Sequence, residues 1–292
     1  MNADVQARTE HWDSIRDRWG ELAVLSKGES KDIRIVNDDH VMVRMIPSLY
    51  SYTHNRSAMI DGTDTSRLAS FEKITKILQA SGIQVAAIAF GHDYYVTRRL
   101  KKEGVDYVPP IEVIVKARHV GTPKHNLYRI ANYRTLRNDV FLPDRPHAPY
   151  VRFDYTNPLL DAENKRLRDE CIPSQLAAHF IDVAAAEQTA LTAFCALYGH
   201  LSRCGIRLDD ICFKIDHTGR IIFGEVSPDC MRAVWVGDEP DFFGLGGVDT
   251  SKDTFRAGSS EEEVKARYKR FVNLLDLPIR PPVSPFDCPG PR

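Results

Sequence analysis

Between residues 221 and 235 the chain reads IIFGEVSPDCMRAVW. An apolar run ends at Glu225, and Asp229 and Arg232 follow closely. Just upstream, Lys214 and Asp216 stand two apart in ICFKIDHTG and share a face if the segment is extended. A turn through His217-Thr218-Gly219 would bring Asp216 toward Glu225. Two carboxylates within a few ångströms repel unless a cation separates them, and Mg²⁺ favours one or two carboxylates plus phosphate oxygens. The chemistry to expect is therefore a magnesium–nucleotide site, with Asp216 and Glu225 on the metal. The same residues also fit an exposed strand face of ordinary charges, and spacing alone does not choose between the two.

Two further stretches hold charge where a phosphate would need it. In KARHVGT, Lys116, Arg118 and His119 precede Gly121-Thr122, a basic group with a glycine and a hydroxyl at a strand end. In LSKGESKDIR, Gly28 lies between Lys27 and Lys31, so backbone amides can cover phosphates while a lysine supplies a point charge. Each also reads as a solvated loop, and the second is not the GxxxxGK[ST] loop.

Strands and helices must carry these residues. Segments 32–36 and 40–46 are β-branched and flank Asn37-Asp38-Asp39, which predicts a hairpin. Leu68, Phe71, Ile74 and Leu78 predict a helix over 65–80, and Trp12, Ile15 and Trp19 a short one over 8–20. Strands are expected at 84–90, 93–98 and 111–116. The Arg- and Pro-rich stretch 123–173 reads as a long surface excursion. Residues 174–204 predict one long helix or two, 209–216 and 220–226 a second hairpin, and 260–275 a last helix with Glu261–Glu263 in its first turn. The pattern is α+β, a β-rich part followed by a mixed part, with a cleft expected between them.

Bulk properties narrow the function classes. The 292 residues carry 39 Lys+Arg against 40 Asp+Glu, so the formal net charge of −1 gives no argument for nucleic acid or membrane partners. None of the six cysteines forms a CxxC pair, which predicts buried, reduced thiols. The polar N-terminus lacks the apolar core of a signal peptide, and a cytoplasmic location is expected.

Four stretches, in order, resemble the SAICAR synthetase family, the phosphoribosylaminoimidazole-succinocarboxamide synthases. KGESK (27–31) is similar to the family's EGKAK loop, and PIEVIVKARHVGT (110–122) to its PLEVVVRNxAAGS strand. ICFKIDHTG (211–219) is similar to DFKLEFG, and GEVSPDCMRAVW (224–235) to DExSPDxxRxW. The resemblance implies a two-part fold: a β-rich N-terminal subdomain over 1–108 and a larger, ATP-grasp-like mixed subdomain over 109–292. It implies an ATP-dependent ligase that forms an amide between a heteroaromatic carboxylate and an amino acid such as aspartate, through an acyl phosphate, with ATP and Mg²⁺ required. Partners are then small molecules, with a homo-oligomer expected by analogy.

Roles follow residue by residue from the resemblance. Lys214, Asp229 and Arg232 are the catalytic candidates. Lys27, Gly28, Lys31, Lys214, Asp216 and Glu225 would hold the nucleotide, with Asp216 and Glu225 on magnesium. Lys116, Arg118, Thr122, Asn157, Asp229 and Arg232 would hold the acceptor, with Lys116 and Thr122 on a ribose phosphate. The departures are as informative. Gly224 replaces the aspartate of the DE pair, Lys116 replaces an arginine, and Thr156 replaces a lysine. They lie mostly on the acceptor side, which points to a specialised-metabolism paralogue, for example one acting on a nucleoside-antibiotic precursor. The alternatives are a genuine SAICAR synthetase of purine biosynthesis and a non-catalytic nucleotide-binding protein.

Overall fold

The computed structural model describes residues 3–51, 56–101, 108–118, 120, 147–156, 162–163, 171–237 and 247–277. Helix α1 (Ala3–Asp17) leads into strands β1 (Val24–Lys27), β2 (Lys31–Ile35), β3 (His40–Met45), β4 (Ser48–Ser51) and β5 (Arg56–Met59). Helix α2 (Thr63–Ala80) and strands β6 (Gln84–Val85), β7 (Ala87–Phe90) and β8 (Tyr95–Arg98) follow. Next come β9 (Ile111–Lys116), β10 (Tyr150–Tyr155), β11 (Cys171–Ile172), α3 (Ser174–Ala177) and α4 (Val183–Arg203). The chain continues through β12 (Ile206–Phe213), β13 (Ile221–Ile222), β14 (Met231–Trp235), β15 (Val248–Asp249), α5 (Asp253–Arg256) and α6 (Glu261–Leu274).

The strands form a five-stranded sheet ordered β1-β2-β3-β8-β7 and a six-stranded sheet ordered β11-β10-β9-β12-β14-β15. All pairs within these two sheets are antiparallel. The β2–β3 hairpin forms as expected, because the Asn37 side chain accepts from the backbone N–H of Asp39 and His40 and shapes the turn. One apolar core joins the sheets. Val41, Val43 and Tyr95 from the first share it with Val113, Ile211 and Phe213 from the second, and with Phe71 and Ile74 of α2 and Ala190, Phe194 and Leu197 of α4. Trp12, Ile15 and Trp19 pack outside it, against Met42, Tyr94 and Val96.

Residues 174–204 divide into two helices, and Asp182 caps the longer one by accepting from Ala185 N. The stretch read as a surface excursion contains a full strand, β10, paired with β9 from Tyr150↔Lys116 to Tyr155↔Ile111. The expected second hairpin is reduced to a single bridge, Ile215↔Ile222. Strand β12 is already paired on both edges, with β9 and β14, and β13 instead pairs in parallel with β6. The cysteine expectation also needs correction: Cys195 is disulfide-bonded and Cys171 is exposed. No helix among the described residues is long and apolar enough to cross a membrane.

Candidate active site

Two charged clusters gather most of the candidate residues. The first surrounds Glu225, where the chain leaves β13. Its carboxylate receives a two-pronged contact from Arg67 of α2, with Nε to Oε1 at 2.8 Å and Nη2 to Oε2 at 2.7 Å. Lys31 Nζ lies 2.8 Å from Oε2, and Ser227 Oγ donates to Oε1 at 2.5 Å. Burial would raise the Glu225 pKa, but Arg67 and Lys31 outweigh it and hold the carboxylate well below its usual range. Burial likewise opposes the charge on Lys31, and Glu225 outweighs it, so Lys31 stays above its usual value.

The turn after Glu225 is a short 3₁₀ helix, Pro228–Cys230, with proline at its first position and Ser227 accepting from Asp229 N. It swings Asp229 back to the same cluster. Asp229 Oδ2 lies 3.7 Å from Arg67 Nε and 3.4 Å from Lys252 Nζ, and Tyr268 Oη donates to Oδ1. Cys230 donates to the Glu225 carbonyl at 3.0 Å, and burial pushes its thiol up to about 11.

The second cluster lies on the face of the six-stranded sheet opposite the core. Asp210 pairs across the strands with Lys116 on one side and Arg232 on the other. A register shift between Leu208 and Asp210 lets Leu208 and Ile211 both face the core while Asp210 turns outward. Lys116 Nζ donates to Asp210 Oδ2 at 2.9 Å and to Val120 O at 3.0 Å. Arg232 donates through Nη1 to Asp210 Oδ2 and through Nε to Asp253 Oδ2, both at 2.6 Å. Burial would raise Asp210, but Arg232 and Lys116 hold its pKa down at about 2. Arg118 is buried beside Asp209, with its Nε 3.2 Å from Oδ1. On the same face, Lys214 Nζ donates to Glu112 at 2.8 Å and to Thr156 Oγ1 at 2.9 Å. The threonine standing where the family has a lysine thus gives Lys214 an acceptor instead of a like charge.

Of the residues singled out in the sequence, Glu225, Asp229 and Lys31 meet in the first centre, and Lys116, Arg232 and Lys214 lie along the second. The structure does not bring Asp216 to Glu225. Asp216 Oδ1 accepts from the N–H groups of Arg220 and Ile221, and Oδ2 accepts from Thr218, so the carboxylate closes its own turn. The residues present therefore do not fit a magnesium ion held between Asp216 and Glu225. Both carboxylates have protein donors on each oxygen, position 224 has no side chain, and among the described residues no group of three His, Cys, Asp or Glu is placed to hold a metal. An added Cβ at Gly224 would meet Lys214 Cβ and Cγ at 2.8 Å, so the glycine makes room for the lysine stem. Lys27 lies exposed at the end of β1, and Gly28 closes the following loop by donating from its N–H to Lys31 O at 2.9 Å. Thr122 and Asn157 lie outside the described residues.

Sequence reasoning missed Arg67, Asp209, Asp210 and Asp253. Arg67 lies four residues before Phe71 on the buried stripe of α2, and two adjacent aspartates interrupt an otherwise apolar strand. The paired aspartates were a visible signal of charge inside the fold.

No family model matches the chain. A curated protein, bifunctional cordycepin biosynthesis cluster protein 3 of Cordyceps militaris, is 26% identical over 319 residues, covering 93% of this chain and 35% of that protein. The chain thus spans about a third of the length of this relative. Among solved structures, the phosphoribosylaminoimidazole-succinocarboxamide synthase of Ehrlichia chaffeensis matches with a TM-score of 0.65 at 18% identity, covering 88% of this chain and all (100%) of that one. The SAICAR synthase of Saccharomyces cerevisiae complexed with SAICAR matches with a TM-score of 0.65 at 14% identity, covering 88% and 95%. A type-2 SAICAR synthetase in complex with ADP gives 0.63 at 21% identity, covering 86% and 97%. The motif resemblance thus holds at the level of architecture: the chain has the SAICAR synthetase fold.

Proposed function

We propose that the chain is an ATP-dependent carboxylate–amine ligase with a changed acceptor. The observation that carries this reading is the cluster around Glu225. It joins Lys31 after the glycine loop, Arg67 of α2 and the Ser-Pro-Asp turn in one buried centre. The glycine loop and the Ser-Pro-Asp turn are blocks that the resemblance gives to the nucleotide and to the acceptor; Arg67 is added by the fold. In the proposed reaction a carboxylate takes the terminal phosphoryl group of ATP, giving an acyl phosphate and ADP. An amine then attacks the acyl carbon and phosphate leaves. Such chemistry depends on positioning and charge neutralisation more than on a protein nucleophile. Lys31, Lys214 and Lys27 supply positive charge on the nucleotide side, and no step is assigned to a metal held by Asp216 and Glu225. The glycine loop suits a close ligand, because a Cβ at Gly28 would meet only Lys31 O, at 4.0 Å. Likeness to a cordycepin cluster protein supports a role in specialised metabolism.

The test is ADP release with ATP, Mg²⁺, aspartate and a panel of heteroaromatic carboxylates. Release that depends on both carboxylate and amine is expected. No carboxylate–amine pair raising ADP above background would end this reading. The internal satisfaction of Asp216 and Glu225 favours a second reading, nucleotide binding without turnover. Its signature is a rise in melting temperature with Mg–ATP and no product with any acceptor.

A further inference from the structure

We infer that Arg67 stands in for a metal ion: its guanidinium is the resident cation between the Glu225 and Asp229 carboxylates, and this centre takes no divalent cation from solution. The inference goes beyond the ligase reading and holds whether or not the chain turns over.

Two buried carboxylates share a pocket only with a cation between them. By spacing, Glu225 is expected to share magnesium with Asp216; the fold instead pairs it with Asp229 around an arginine. Arg67 forks onto both oxygens of Glu225, at 2.8 and 2.7 Å, and its Nε lies 3.7 Å from Asp229 Oδ2. Its Nη1 donates to Ile46 O at 3.2 Å, so every nitrogen of the guanidinium is engaged. Nor is Arg67 a surface side chain folded inward. It belongs to the buried stripe of α2, with Leu68, Phe71 and Ile74.

The donors around the two carboxylates leave a metal no free oxygen. Magnesium needs a near-octahedral shell of oxygen atoms and replaces its waters reluctantly. Each Glu225 oxygen already faces two donors: Arg67 and Ser227 at Oε1, Arg67 and Lys31 at Oε2. Asp229 has Tyr268 at Oδ1, and Arg67 and Lys252 beside Oδ2. Charge points the same way. Lys31, Arg67 and Lys252 face Glu225 and Asp229, three positive charges against two negative, so an arriving dication meets a centre that is already positive. Arginine cannot give up its proton to make way. The neutralising cation is therefore encoded in the chain, and a chelator cannot remove it.

Manganese is the probe, because it takes the same oxygen ligands as magnesium and its free aquo ion is read directly by electron paramagnetic resonance. The full chain is stripped with chelator and titrated without nucleotide, so that no phosphate carries the metal. The wild-type chain is expected to show no site at Glu225 tighter than about 1 mM, and a melting temperature that chelator does not move. Arg67→Ala opens the space between the two carboxylates and should bind manganese at least about tenfold below that limit. Adding Glu225→Gln to Arg67→Ala should cancel the gain. A wild-type manganese site that Glu225→Gln or Asp229→Asn weakens overturns the inference, as does an Arg67→Ala chain that folds and gains no manganese. Wild-type manganese binding that neither carboxylate variant changes lies elsewhere and upholds it. If Arg67→Ala does not fold, Arg67→Gln, which drops the charge and keeps much of the bulk, is judged by the same criteria. ADP release with ATP is scored separately: no turnover with any acceptor counts against the ligase, while the manganese titration still reads the centre.

Discussion

Around Glu225, two cations from distant parts of the chain close on one carboxylate. Along the sheet, one carboxylate, Asp210, is shared by two cations from neighbouring strands. The Glu225 centre has to be assembled by tertiary folding, since Lys31, Arg67 and Glu225 come from β2, α2 and the segment after β13. The Asp210 row follows from strand register, because cross-strand pairing already sets Lys116, Asp210 and Arg232 side by side. Exposure differs as well. The Arg67 and Glu225 side chains are 1% and 2% exposed, whereas Arg232 and Asp253 are 23% and 28% exposed. One cluster fastens distant elements together; the other is laid down by strand register, buried at Lys116 and Asp210 and half-open at Arg232.

The contrast predicts a ranking of effects. Arg67→Met leaves Glu225 buried with Lys31 as its remaining cation and should cost about 3–5 kcal/mol in urea unfolding. A cost near that of a surface pair would mean the centre is not a fastener. Acid should then dissolve the Asp210 row in a defined window. Its folded pKa of about 2 lies below the ordinary aspartate value of 3.8, so the unfolded chain binds the proton first. The stability Asp210 contributes, roughly 2 kcal/mol, is present above about pH 4 and lost as pH falls to about 2. Stability measured across that interval should fall less steeply in Asp210→Asn than in the wild-type chain. Arg232→Met, at the half-open end of the row, should cost about 1–2 kcal/mol, and a loss equal to that of Arg67→Met would erase the distinction between the clusters. Gly224→Ala comes last, at about 1 kcal/mol, because its new methyl group meets Lys214 at Cβ and Cγ, 2.8 Å away, and forces the root of that side chain to shift. Its more telling readout is weaker nucleotide binding as Lys214 leaves Glu112 and Thr156.

Much of the molecule is legible in the sequence where local chemistry decides. The apolar stripe of α2, the Asn37 turn and the Ser260 cap with Glu261–Glu263 behind it all form as their residues predict. Where partners lie far apart in the chain, reading fails for physical reasons. Strand β10 looks polar because Arg152 and Asp154 share the charged open face of its sheet, although Phe153 between them is buried in the core. The second hairpin is shortened to the pairing around Ile215↔Ile222 because β12 takes its neighbours from residues about 100 positions earlier and 20 later, which no local pattern announces. Asp216 has the look of a metal ligand, but its nearest donors are the amides of its own turn. Arg67 escapes notice because a lone arginine in an amphipathic helix normally marks its wet side.

The contact between Gly224 and Lys214 also bears on any redesign of the site. A carboxylate placed at position 224 by mutation would arrive on top of the lysine stem, with Glu112 and Thr156 already holding that lysine's amine. Such a substitution therefore calls for a second change that lets Lys214 move. Positions 214 and 224 are thus one unit of substitution: neither can be redesigned without the other.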